Sequence, residues 1–440
     1  MKQMSKISSL FALSLLAFLF GCQGNESTET SAGTGEVNLV QVDSIMINIQ
    51  GNLKIYDYNE ETGMFLGGDI ASLGMAMMPP GGPTSFNELG HVVIGKDGKV
   101  LHQFMHADDS PEGHGRGALS SFFIGKDKIG VIGLNGMFVY ALDGTFLQKY
   151  KEFAAANFIG DPGHRVAAAN QDGMMAVGFT KREDYTFDKD KIDSFYQLMK
   201  PFHFYKLDEK PVNKEEVKAG LIASFPYPTA EVYAPGFNML KNQTAPQIGW
   251  NLERDQISVL YPEVPLLEHY DMKTGAFVKA VDLAPDHFKN PEEMPMSADD
   301  PEWFDWYNNG GWFANSYYRD LVEIGEYSLL RYTPAVPDSE VEMLMKTGGT
   351  YNNPEWVRIQ KEHFNSYYQL FRDNEKIAPD FQIPAFEILE GQNGFGSRFG
   401  AIRGQIIGGP SLNRIFVFAP NDEDIERDYE LIRVYRLAVN

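Results

Sequence analysis

The sequence predicts an all-β protein: a six-bladed β-propeller, with seven or eight blades also compatible, carrying short helical insertions. Three observations predict it. An apolar strand, an Asp or Gly turn and a second strand recur along the chain. The composition, 42 glycines and 13 % aromatic residues in 440, suits β structure with many tight turns. The recurring tyrosines Tyr56, Tyr140, Tyr205 and Tyr270 lie 84, 65 and 65 residues apart. Modules of that size cannot each bury a face alone, so they stack.

Residues 1–21 read as a signal segment. Lys2 and Lys6 precede "SLFALSLLAFLF" at 9–20, an apolar run of signal-peptide length, too short to span a bilayer. It ends in Leu19-Phe20-Gly21-Cys22, which looks like the lipobox of bacterial lipoproteins, with Phe20 where a smaller residue is usual. Cys22 is the only cysteine, so after cleavage the chain has no disulfide, thiolate metal site or second thiol nucleophile. Several acyl chains on Cys22, each buried CH₂ worth about 0.8 kcal/mol, make a stable anchor. Residues 22–38, polar and rich in Gly, Ser, Thr and Glu, form a tether with too little apolar surface to fold. Gln23, rather than Asp, after the cysteine points to the outer membrane of a Gram-negative cell envelope. Glu26 and Glu29 leave open whether the protein faces the periplasm or the outer surface.

Residues 39–440 are the propeller. Hairpins are expected at 53–68, 91–104, 137–150, 202–212 and 267–283, where Asp97-Gly98 and Asp143-Gly144 supply the positive φ of two-residue turns. Two insertions interrupt the pattern. Residues 284–318 lack strand alternation, and 352–373 read as a helix, with Asn353 as N-cap, Pro354 in the first turn and Val357, Phe364, Tyr368 and Phe371 at helical spacing. Strands resume in "FQIPAFEIL", "GQIIGG", "RIFVFAP" and "ELIRVYRLAV". The last is expected to pair with "NLVQVDSIMINI" from the N-terminal end and close the ring without an open edge.

The chain has 38 Lys plus Arg against 60 Asp plus Glu, and loss of Lys2 and Lys6 moves the formal charge from −22 to −24. That argues against nucleic acid as a partner. With the lipobox, "GHGRGALSSF" (113–122), the Tyr-Asp-x-x-Thr-Gly turn at 270–275, and "NRIFVF" and "DYELIRVYRL" near the C-terminus, the chain resembles the six-bladed β-propeller lipoproteins of Gram-negative envelopes, a family of uncharacterised function. Arg116 stands where that family's Gly-x-Gly-Pro-Gly loop has proline. The resemblance implies a fold and a membrane attachment and supplies no catalytic residue.

Candidate chemistry is sparse. His102, His106 and His114 cluster with Asp108 and Asp109, yet along a strand His102 and His106 would sit roughly 13 Å apart at about 3.3 Å per residue, too far for one ion. No metal or cofactor is therefore expected there. "DKDKIDS" at 188–194 departs from a calcium loop at Ile192 and Asp193. The chain has no G-x-S-x-G, Walker or H-E-x-x-H motif. The densest feature is "WFDWYNNGGWFANSYY" (303–318). Its Trp303, Trp306, Tyr307, Trp312, Tyr317 and Tyr318 are candidate ligand-binding residues, and the competing reading is that these rings pack between blades. The expected function is a lipid-anchored, non-enzymatic binding or scaffold module for a protein, glycan or small ligand. Alternatives are a hydrolase or lyase using the channel, and an accessory subunit of an envelope transport or assembly complex.

Overall fold

The computed structural model describes residues 37–49, 53–68, 71–72, 90–106, 110–114, 117–133, 135–154, 158–159, 166–181, 195–207, 218–234, 245–291, 311–347, 354–363, 365–383, 405–418 and 429–439. Most of their strands fall into six four-stranded antiparallel units in a propeller-like arrangement, four of them separate sheets and two joined in one larger sheet. The units begin with Lys54–Asn59, Gly117–Ile124, Ala167–Ala169, Gln247–Asn251, Tyr317–Ile324 and Gln405–Ser411. Those first strands touch one another in a closed cycle, the sixth meeting the first. The second and third units share one sheet through a single parallel pair, Ala169 with Ile124.

The core is divided among the seams between neighbouring units. Leu66 and Val93 of the first unit meet Phe138 and Tyr140 of the second. Ile132 and Val139 meet Val177 and Tyr205 of the third. Phe202 and Phe204 meet Ile257 and Tyr270 of the fourth. Leu260 and Leu267 meet Leu321 and Leu330 of the fifth. Leu329 and Leu370 meet Ile415 and Val417 of the sixth, and Phe416 and Ile432 meet Ile55 and Phe65 of the first. Successive residues go to opposite seams, Val92 toward the sixth unit and Val93 toward the second. Inner strands buried on both faces therefore read as continuous apolar runs such as "HVVI", while outermost strands such as Phe277–Asp282 are largely exposed.

Ring closure is as expected. Val37–Ile47 pairs antiparallel with Glu430–Val439 and supplies the outer strand of the sixth unit, ahead of Arg414–Phe418 and Gln405–Ser411. The turn glycines Gly98 and Gly144 have φ of 82° and 87°.

One expected element is corrected. The helix over 352–373 spans only Pro354–His363, and Tyr367–Arg372 is a strand pairing with Tyr327–Thr333. Tyr368 and Leu370 are buried in the seam with the sixth unit, and Phe371 in the seam with the fourth. Spacing that fits a helical face fits a two-faced inner strand equally well, and long-range pairing decides. A second helix, Asp338–Thr347, precedes it. Arg358 ties the two helices by bonding Glu340, Glu355 and Glu362. Among the described residues no helix is long and apolar enough to cross a membrane.

Candidate functional site

The first strands end in tight turns that stitch adjacent units together. Asn59 donates from Nδ2 to the Gly125 carbonyl at 2.7 Å, and its Oδ1 accepts the N–H groups of Glu61 and Thr62. Two units are bridged the same way by Asn251, which donates to the Gly325 carbonyl at 2.9 Å and accepts the Arg254 N–H. Gly125 needs its positive φ of 58°, and a Cβ there would lie 2.7 Å from the Cα of Gln171. Asp57 adds a further stitch, accepting the N–H of Phe123 across the seam at 2.9 Å.

These turns surround a cavity of about 70 Å³ on the ring axis, lined from every first strand. Asp57, Tyr58 and Asn59 come from the first unit, Phe123 from the second, Ala167, Ala168 and Ala169 from the third, Ile248 and Trp250 from the fourth, Glu323 from the fifth, and Gly408 and Gly409 from the sixth. Glu60, Glu61, Gly125 and Leu252 complete the lining. Alanines and glycines on two of the six strands keep the axis open.

The charged groups of the cavity are all acidic. Glu61 is exposed and forms an ion pair with Lys126. Glu323 is 6 % exposed. Its Oε2 accepts from Asn251 Nδ2 at 3.2 Å and Ser328 Oγ at 2.9 Å, while Oε1 has no hydrogen-bond partner among the described residues. Burial pushes the Glu323 carboxyl above the usual range, opposed by the nearby Ser258, Ser328 and Asn251 side chains and by Arg254. Burial and then Glu60 push the Tyr58 phenol up to about 12, against Arg414, so that it stays protonated. Arg254 itself is committed to the Glu326 carbonyl and Asp373.

Of the residues singled out from the sequence, Cys22, Trp303, Trp306 and Tyr307 lie outside the described residues. Trp312 lies in the short 3-10 helix Gly311–Ala314. Tyr317 and Tyr318 begin the first strand of the fifth unit and are 4 % and 1 % exposed. Tyr318 packs against Phe288 and Tyr332 and donates to Gln369 Oε1. For these two rings, packing describes what is seen.

His102 is exposed on the strand Val100–Phe104, and beyond that strand the His114 backbone N–H donates to the His106 carbonyl at 2.8 Å, while Asp108 and Asp109 lie outside the described residues. His106 stacks on Tyr140, and His114 meets His91 edge-on at 5.1 Å. His91 is one of three buried histidines on third strands that bond a serine: His91 to Ser121, His203 to Ser224 and His269 to Ser258. Two of them sit inside the recurring hairpin phrase, in "FHFYKLD" and "LEHYDMK", and the third opens "HVVIGKDG". Their place in the repeat was a legible sign of a structural role. Glu340, Glu362 and His363 offer ligand atoms within 4.8 Å of one another, but Arg358 already bonds both carboxylates.

No family model and no curated protein sequence matches the chain. Among solved structures it is similar to a member of the DUF4221 family from Bacteroides vulgatus, at 8 % identity and a TM-score of 0.57 over 92 % of this chain and 100 % of that one. It also aligns with a β-propeller domain from Myceliophteria thermophila, at 9 % identity and a TM-score of 0.38 over 91 % of this chain and 100 % of that one. The first likeness extends to the fold and no further.

Proposed function

We propose that the chain is a lipid-anchored protein of the Gram-negative outer membrane, attached through Cys22, whose propeller is a binding module that receives its ligand in the axial cavity. The observation that carries the binding reading is that all six first strands contribute to one cavity, at an end fixed by the Asn59 and Asn251 stitches. A rigid ring with converging turns suits recognition. The cavity lining has carboxylates, an amide, a phenol and an indole, the polar vocabulary of a binding site. The buried Ser258–His269 pair lies in the seam, where His269 makes its bond through Nδ1 to a serine that also neighbours Glu323, so it serves as a packing contact. The lipid anchor rests on the Leu19-Phe20-Gly21-Cys22 sequence.

Two measurements test the reading. Mass spectrometry of the membrane fraction should find acyl groups on Cys22, and Cys22→Ser should release the protein from membranes; an unmodified thiol in native membranes refutes the anchor. Ala168→Phe, which fills the cavity, should abolish capture of a ligand recovered with the native protein, and undiminished capture refutes the cavity. If capture survives Ala168→Phe and fails on replacing Trp303, Trp306 and Trp312 with Ala, the aromatic segment is the contact surface instead.

A further inference from the structure

We propose that the end of the ring nearest the lipid anchor lies against the bilayer, seated by five aliphatic residues placed at β-bulges on the outermost strands. This rests on the lipid anchor proposed above and adds the face of the propeller that meets the lipid. In five units the outermost strand carries one extra residue against the strand beside it, and each time that residue is a large exposed aliphatic: Leu101 in the first unit, Leu147 in the second, Ile222 in the third, Val278 in the fourth and Val42 in the sixth. They are 41–50 % exposed. The place in the unit is also the same, because the shift falls next to Ile94, Tyr140, Tyr205, Tyr270 and Tyr435 on the third strand. The fifth unit is the exception, its outermost strand Glu375–Lys376 being two residues long.

A bulge disrupts the ladder and re-aims a side chain. Edges that only need protection from pairing carry charges or proline, whereas these positions carry Leu, Ile or Val, which are a liability unless something covers them. Their location says what does. Leu101, Leu147 and Val278 each stand three residues after a turn glycine, Gly98, Gly144 and Gly275. In the fourth unit that turn adjoins the turn after the first strand, the Met272 N–H donating to the Asp255 carbonyl at 2.9 Å, so the bulges ring the end that holds the axial cavity. Val37 emerges at the same end: it pairs with Val439, two residues beyond Leu437, whose N–H donates to the Leu412 carbonyl in the matching turn of the sixth unit. Val40 and Val439 add exposed apolar surface beside it. Fourteen residues separate Cys22 from Val37, at most about 50 Å of chain, so an acylated Cys22 keeps this end close to the bilayer. Spread over five units, the aliphatics form no single patch of the kind a protein partner buries, while a flat lipid surface meets them together. The excess of acidic residues works against adhesion to anionic lipid and leaves apolar contact as the means. The axial cavity lies at this end, so its ligand arrives from the bilayer side.

The experiment reads depth in the membrane one position at a time. Acylation occupies the only native thiol, so Leu101→Cys, Leu147→Cys and Val278→Cys each offer one site for an environment-sensitive fluorophore, with Asn135→Cys as control. Asn135 is exposed in the turn joining the second and third strands of the second unit, at the opposite end of the ring. The acylated proteins are reconstituted in phosphatidylcholine vesicles containing a nitroxide-labelled lipid. Labels seated about 5–10 Å into the headgroup boundary should be quenched at least about twofold more than the label at Asn135. Three positions on three units keep the result independent of any one variant that folds poorly, which circular dichroism identifies. Equal quenching at all four positions, or stronger quenching at Asn135, overturns the seating and keeps the anchor. Labels at the three bulges that are unquenched in these vesicles yet shielded in native membranes assign the aliphatics to a protein partner and also overturn it. An unmodified Cys22 in native membranes removes the anchor and the seating together.

Discussion

Replacing Glu263 with Gln should stabilise the protein, and by more as the pH rises. Glu263 is 0 % exposed, accepts the Tyr233 hydroxyl at Oε2 at 2.9 Å, and has no partner for Oε1 among the described residues. Burial pushes its pKa from 4.5 up to about 8, against the Tyr233 hydrogen bond and the more distant Arg319. The folded protein therefore holds this proton between pH 4.5 and about 8, where the unfolded chain has released it. The stability the neutral acid contributes is full below pH 4.5 and lost as pH climbs toward 8. At about 1.4 kcal/mol per pH unit, the loss between pH 4.5 and 7 comes to about 3 kcal/mol. The glutamine side chain would keep an acceptor for Tyr233 and has no proton to lose. Urea denaturation of both proteins from pH 4 to 8 should show the two curves diverging by about 3 kcal/mol at neutrality. A constant difference across that range would mean that Glu263 titrates normally, and the argument from its burial would fail.

His91 should act in the opposite direction. Burial, with His114 and His106 nearby, holds its pKa well below 6.5, so the unfolded chain takes up a proton the folded one refuses, and stability falls as pH drops below 6.5; denaturation at pH 5 to 7 should show this slope flattened in His91→Gln. Asn251→Ala removes the bonds to Gly325 and Glu323 and should cost about 1–3 kcal/mol by the same measurement, whereas a neutral result would mean that the stitch is replaced by water. Deleting residues up to Ile47 strips the sixth unit of its outer strand and removes the buried Ile45 and Ile47, a loss of about 3–6 kcal/mol from burial alone. The truncated chain should aggregate or unfold on size-exclusion chromatography, and a monomer of unchanged thermal midpoint would show that closure is dispensable.

The units were legible in the sequence because each hairpin carries its own local signals. Asp97-Gly98 and Asp143-Gly144 fix turns regardless of surroundings, and Gly98 and Gly144 adopt the φ that such turns require. The closing strand was legible because an unmatched apolar segment stands at each end of the repeats. The helix over 352–373 was overextended because Tyr367–Arg372 is committed by pairing with Tyr327–Thr333, information that lies outside its own window. The cavity was not legible for a related reason. It is assembled from one to three residues on each of six strands between Asp57 and Gly409, none forming a motif with its sequence neighbours. The aromatic segment drew attention because it is dense, yet the ring of Tyr318 fills a seam and that of Tyr317 is buried.

In a ring of repeats, the residues that break the pattern carry the specificity, and Glu323 is paired with such a break. Two residues before the turn positions Asn59, Gly125, Asn170, Asn251 and Gly325 stand Asp57, Phe123, Ala168, Gly249 and Glu323. The glycine faces the glutamate: a Cβ at Gly249 would lie 2.9 Å from Glu323 Cγ and 3.1 Å from Leu321 Cγ. Room for the acid on one strand is thus made by the missing side chain on the next. Gly249→Ala should cost about 1–3 kcal/mol, the usual range for overpacking a tight contact. Because the main obstruction is Glu323 itself, Gly249→Ala should cost less when Glu323→Ala is already present. A double-mutant cycle read by urea denaturation should give a coupling of about 1 kcal/mol or more. Strict additivity would mean that Gly249 answers to Leu321 alone, and that the glycine and the buried acid were not fitted to each other.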